Sequence, residues 1–163
     1  MRFYPLLSTT AIGLCLVGCM PEQTTEVPKA SLEIAAKEHV AELVSSQKNY
    51  FLRTQTFTKS LSELKTSAPA ENRDYRFQIA LYSGKYPGVT VQAISKNPKL
   101  RSFSGAVYTL PIKGGNLTVS QICAADRPST EPLSQPIPPQ KAADTIQCPQ
   151  GSKSTFEIAA NPW

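Results

Sequence analysis

The sequence predicts an α+β domain: one N-terminal amphipathic helix packed on a four-stranded antiparallel sheet, with a disulfide closing a C-terminal loop. Three observations lead there. Apolar residues recur at three- and four-residue steps between 31 and 51. From Tyr75 onward the recurrence shortens to two, in segments separated by short turns. Two cysteines, Cys123 and Cys148, stand far from the N-terminus. The chain has 163 residues, room for one domain.

The first element precedes the domain. Met1-Arg2 is followed by a mostly apolar run from Phe3 to Val17 and then by Gly18-Cys19. A basic residue, a short apolar core and a small residue before a cut read as a secretory signal peptide over residues 1–18. Ser8, Thr9 and Thr10 interrupt the run. A bilayer span needs about 20 mainly apolar residues, so a permanent transmembrane helix is the weaker reading. Leu16-Val17-Gly18-Cys19 resembles the lipobox of bacterial lipoproteins. That likeness implies a diacylglycerol on the Cys19 sulfur and cleavage that leaves Cys19 as the new N-terminus. An ordinary secreted protein is the alternative.

Residues 19–30 read as a lipidated tether, polar and carrying Pro21 and Pro28. The folded domain is then expected over 31–163. Ser31 suits a helix N-cap, with Glu33 near the positive end of the dipole. Leu32, Ala36, Val40, Leu43, Gln47 and Tyr50 or Phe51 form one stripe, widened by Ile34, Ala35 and Val44. Packing on the domain's own sheet is favoured over lying on a membrane, because the polar face is not markedly basic. Ser60 followed by Glu63 has capping-box spacing and predicts a short helix at about 60–65 with Leu61 and Leu64 turned inward.

The strands follow. Tyr75, Phe77, Ile79 and Leu81 alternate with Arg76, Gln78 and Ala80, a half-buried strand. Residues 83–88 form a turn, and Val89, Val91 and Ala93 mark a second strand that Asn97-Pro98 ends. Phe103 to Leu110 reads as a third, with Val107 and Tyr108 on opposite faces and Gly105 marking a bulge or close approach of the helix. Lys113-Gly114-Gly115-Asn116 is a hairpin turn into a fourth strand from Leu117 to Ile122. Short turns between successive strands imply an antiparallel meander. Residues 154–158 are a candidate short last strand, and Trp163 is expected to cover exposed sheet.

Cysteine use fits export. Cys15 leaves with the signal peptide and Cys19 carries lipid, so Cys123 and Cys148 remain, in a compartment where disulfides persist. We pair them; two free buried thiols are the alternative. The enclosed stretch holds Pro128, Pro132, Pro136, Pro138 and Pro139 with almost no apolar period. It is expected to add no core and to be confined mainly by its covalent closure.

Several chemistries find no support. The formal charge is +5, or +4 without Arg2, and the basic residues are scattered rather than massed in a stripe, so nucleic acid is not an expected partner. His39, the one histidine, reads as a solvated helix residue beside Glu38. Two cysteines and one distant histidine cannot fill a structural zinc site. Asp74, Asp126 and Asp144 are isolated, and no nucleophile-elbow, zinc-protease or phosphate-loop motif occurs. No catalytic residue, metal or cofactor is assigned, and the protein is not expected to be an enzyme.

Beyond the plan of one helix, an antiparallel sheet and a disulfide loop, local runs carry a likeness. These are Ser45-Ser46-Gln47-Lys48-Asn49-Tyr50-Phe51-Leu52, Phe57 with Ser60-Leu61-Ser62-Glu63-Leu64, and Asn72-Arg73-Asp74-Tyr75-Arg76-Phe77. Leu100 to Tyr108, Gln121-Ile122-Cys123 and Cys148-Pro149-Gln150-Gly151-Ser152 continue the series in the same order. Over about residues 32–152 the chain resembles the type IV pilin-like G and H family. The resemblance implies a pilin-like globular fold. The start departs from it: pilins carry Gly-Phe-Thr-Leu-x-Glu and a long apolar helix half, and this chain has neither.

The expectation for function is therefore a lipoprotein anchored through Cys19 to the inner or outer membrane. It would face the periplasm or cell surface and bind or scaffold an envelope protein partner. The alternative is an accessory component of type IV pilus or type II secretion machinery.

Overall fold

A computed structural model describes residues 27–66, 69–141 and 144–155. The expected signal peptide, Cys19, most of the tether and Trp163 lie outside the described residues.

Helix α1 spans Lys29–Thr54. It starts two residues before Ser31, and Pro28 occupies the N-cap position with no side-chain cap. Proline presets the backbone angle and has no N–H to lose there. Gln55 ends the helix in the left-handed conformation, its N–H donating to the Phe51 carbonyl at 2.8 Å. The buried stripe is Glu33, Ala36, Val40, Leu43, Val44, Gln47 and Phe51. Leu32 is only half-buried, and Ile34 and Ala35, expected to widen the stripe, are exposed. Glu33 takes the place expected of an apolar residue because Arg101 meets it (below).

Helix α2, Leu61–Leu64, follows the N-cap Ser60. Only half of a capping box forms. The Ser60 hydroxyl accepts from the Glu63 N–H at 3.4 Å, but the Glu63 carboxylate takes the hydroxyls of Thr58 and Tyr50 at 2.5 and 3.1 Å. The Ser60 N–H is met by the Thr58 hydroxyl instead, at 3.0 Å.

The sheet has five strands rather than the four expected: β1 Tyr75–Tyr82, β2 Gly88–Ser95, β3 Phe103–Ile112, β4 Gly115–Ala125 and β5 Ser152–Ser154. They lie in chain order, every neighbouring pair antiparallel. β5 begins two residues before the expected last strand; the rest of that stretch, from 156, lies outside the described residues. The β3–β4 hairpin turns at Lys113-Gly114, where Gly114 has φ +96°, a conformation that favours glycine.

The two faces of the sheet have different covers. One is packed by α1: Phe77, Val91, Phe103, Val107 and Ile122 meet Ala36, Val40, Leu43 and Val44 in the larger core. Gly105 lies under the helix. A Cβ there would sit 2.7 Å from Val44 Cγ2 and 2.8 Å from Val40 Cγ1, so close helix approach, not a bulge, accounts for it. The pairing of β3 with β4 runs unbroken through it.

The opposite face holds the second core, made of Tyr86, Ala106, Tyr108, Leu110 and Ile146, with Tyr82 and Val119 against it. Its cover is the proline-rich loop. The expectation that this loop adds no core is thereby overturned. Without a period of its own, the loop fits the face residue by residue. The Tyr108 hydroxyl donates to the Pro136 carbonyl at 2.7 Å, the Tyr86 hydroxyl to Gln140 at 3.3 Å, and the Gln92 amide to the Leu133 carbonyl. Ser102 Oγ donates to the Ser129 and Glu131 carbonyls and accepts the Ser95 N–H. These loop carbonyls are free to accept, because apart from the Ile137–Gln147 bridge the described residues of the proline-rich stretch form no ladder. β2 and most of β3 are consequently buried on both sides, although the sequence of β2 alternates.

Candidate interaction surfaces

Cys123 and Cys148 are bonded, their Cα atoms 5.6 Å apart. Cys123 lies on β4 and turns to the loop face, so the bond fastens the end of the loop to the sheet it covers. Cys19 lies outside the described residues. Neither Asp74 nor Asp126 joins a cluster of acids, and Asp144 accepts the backbone N–H groups of Gln140 and Lys141 at 3.2 and 2.9 Å, a local loop turn. Among the described residues no group of three or more His, Cys, Asp or Glu could hold a metal ion.

His39 is not the solvated residue expected. Its ring stacks on Phe77, centroids 3.9 Å apart and planes 15° from parallel, and Nε2 is buried with no hydrogen-bond partner. Burial holds the imidazole below its ordinary 6.5, against the opposing pull of the Glu42 carboxylate. The unfolded chain therefore takes up a proton at a higher pH than the native one. Stability is full above about pH 6.5 and is lost as pH falls through that value towards the native one. His39 is the one histidine, so His39→Phe should flatten the pH 5–7 slope of the urea midpoint.

The roles of three polar residues escaped sequence reasoning, although the sequence already puts Gln47 on the inward stripe of the helix. Glu33 is buried and receives the Arg101 guanidinium at 2.7 and 2.9 Å, the Arg101 N–H at 3.0 Å and Lys29 at 3.6 Å. Burial raises its pKa, but the hydrogen bonds and charge of Arg101 outweigh that and hold the carboxyl below its ordinary range. Gln47, fully buried, bonds both backbone groups of Thr58 and so ties the chain after α1 back to the helix. Tyr108 anchors the loop, and burial pushes its phenol up to about 12, keeping it a donor. A signal existed for the first two: positions 33 and 47 lie on the stripe through 36, 40, 43 and 44. Nothing local marked the third.

Two stretches of sheet edge remain. The outer edge of β1 is occupied at its start, where the Phe77 N–H donates to Ala70 at 2.8 Å; from Gln78 to Tyr82 no described strand lies beside it. On the other side β5 pairs only with Cys123–Ala125. Past its end, β4 borders a cleft of about 440 Å³ between α1 and residues 144–146 of the loop. Its walls include Ala41, Val44 and Lys48 from the helix, Val119 and Ile122 from the strand, and Ile146 from the loop.

A helix thus crosses a meander, and a disulfide runs from the fourth strand to the loop behind the sheet. The family model of type IV pilin-like G and H proteins matches residues 33–149, from the second turn of α1 to just beyond Cys148. The chain belongs to that family. No curated protein and no solved structure matches it. As a pilin-like domain it keeps the helix-on-sheet plan. Among the described residues no helix is long and apolar enough to cross a membrane.

Proposed function

We propose that this is a lipid-anchored, non-catalytic pilin-like protein of the cell envelope that binds or scaffolds a protein partner. The observation that carries the reading is one of position. A lipobox-like tetrad ends at Cys19, and ten residues later a pilin-like helix begins with Lys29. A lipid on Cys19 would then supply the membrane attachment that a pilin's apolar helix half provides. Partner contact falls to the outer edge of β1 from Gln78 to Tyr82, beside which no described strand lies, since an unpaired edge accepts a strand. The outward side of the proline-rich loop, where Ile137 is exposed, is the second surface.

Intact mass of the protein extracted from its host's membranes with detergent tests the anchor. The expected species is residues 19–163 plus a diacylglycerol or triacyl lipid. A soluble unlipidated protein, or one retaining residues 1–18, would end this reading. Membership of the pilin-like family favours a second reading, an accessory of type IV pilus or type II secretion machinery. Crosslinking in the intact envelope followed by purification should recover pilus or secretion subunits in that case, and unrelated envelope proteins otherwise.

A further inference from the structure

The arginine that holds Glu33 belongs to a wider basic cluster beside the first turns of α1. A cleft of about 370 Å³ opens there, between the helix, the start of β3 and the paired ends of β4 and β5. Phe103 and Ala124 line it from the helix-face core, and the exposed Ile34 lines it from the helix. Three cationic side chains reach the same cleft, Lys37, Arg101 and Lys153, against one carboxylate, Glu33. That carboxylate is already matched by Arg101 Nε and Nη2, with Lys29 at 3.6 Å. Arg101 Nη1 has no partner among the described residues, and no described carboxylate pairs with Lys37 or Lys153. Uncompensated positive charge thus stands beside an apolar lining. A phosphate satisfies such cations, and carbon attached to it satisfies the lining.

Position narrows the source of that phosphate. The cleft includes Ala30, so it lies at the end of the domain where the chain from Cys19 enters. Cys19 precedes Lys29 by ten residues, which span at most about 35 Å fully extended. A lipid on Cys19 would keep this end of the domain, with its exposed Val27 and Ile34, within reach of the bilayer.

We propose that this cleft binds the headgroup of an anionic phospholipid, its phosphate between Lys37, Lys153 and the open side of Arg101 and its glycerol carbons against Ile34. The inference takes the source of its ligand from the lipid-anchor reading. Its consequence is orientation: the domain would stand on the membrane by the start of α1, with its sheet edges turned to partners.

The test uses the protein extracted from its host's membranes and placed in vesicles of phosphatidylcholine, or of an equal mixture with phosphatidylglycerol. Lysines are acetylated and read by peptide mass. Lys37 and Lys153 should react about fivefold more slowly when phosphatidylglycerol is present. Lys48, Lys59 and Lys113, which do not line the cleft, should not change. No slowing would overturn the proposal, and so would equal slowing of all lysines, which the net charge of the chain alone would produce. The same selective slowing in phosphatidylcholine supplied with inorganic phosphate would overturn it too, in favour of a free anion. Lys37→Gln should reduce the protection of Lys153 to less than about twofold, because both hold one phosphate. Undiminished protection of Lys153 would mean separate contacts and no shared site. The anchor is read apart, by intact mass and by flotation with phosphatidylcholine vesicles. An anchored protein without selective protection ends this proposal alone. Selective protection in a protein that does not float with phosphatidylcholine supports the site and ends the anchor reading alone.

Discussion

Gly105→Val is expected to lower stability by about 3 kcal/mol, the upper part of the range for overfilling a packed core. The physical reason is the absence of anywhere to yield. Val40 is fully buried and Val44 nearly so, and both branch towards the glycine from a helix held by the whole larger core. The extra atoms must lift α1 from β3 or twist β3 away from β4. Urea unfolding should show the loss as a lower midpoint at unchanged slope. Val40→Ala in the same chain should restore part of it, a coupling that direct contact produces and distant sites do not. If the two changes simply add, the close approach at Gly105 is not what holds the helix.

Removing the disulfide should cost a similar amount, about 3 kcal/mol by the chain entropy of a loop of this length, with a different signature. Cys123→Ala with Cys148→Ala releases the end of the loop, and the loop-face core has few apolar residues of its own to hold it. The expected result is selective. Amides of the proline-rich stretch and the hydrogen bond from Tyr108 to Pro136 should lose protection, while α1 and its face of the sheet keep theirs. Hydrogen exchange read residue by residue distinguishes this from uniform loosening, which would mean that the two cores are one cooperative unit.

Much of this fold was legible because its periods are clean. The switch from a 3.6-residue to a two-residue repeat located α1 and β1 to β4, and of the two readings of Gly105, a bulge or a close approach of the helix, the second holds. Errors occurred where a polar residue found a distant partner. Glu33 looked like a residue for the helix dipole because Arg101, 68 positions away, is invisible to local pattern. His39 looked solvated because Phe77, which stacks on it, belongs to another element. The proline-rich loop looked idle for the same reason. Its affinity for the sheet resides in carbonyls, which every residue has, and its acceptors become specific only once Tyr108, Tyr86 and Gln92 are arrayed on a face. The alternation of β2 suggested one wet side, and only the folded loop makes that side dry.

The order of the strands has a kinetic consequence. Every strand from β1 to β4 pairs with its neighbour in sequence, so this sheet can assemble through short loop closures, the situation in which folding is fast. The loop-face core follows another clock. Its cover is fixed by a covalent bond whose formation takes seconds to hours, depending on the oxidant. A chain that has just folded its helix and meander would thus wait, with Tyr108 and Gln92 still wet, until its surroundings oxidise it. Maturation of this domain would then have two steps, the second set by oxidation of Cys123 and Cys148.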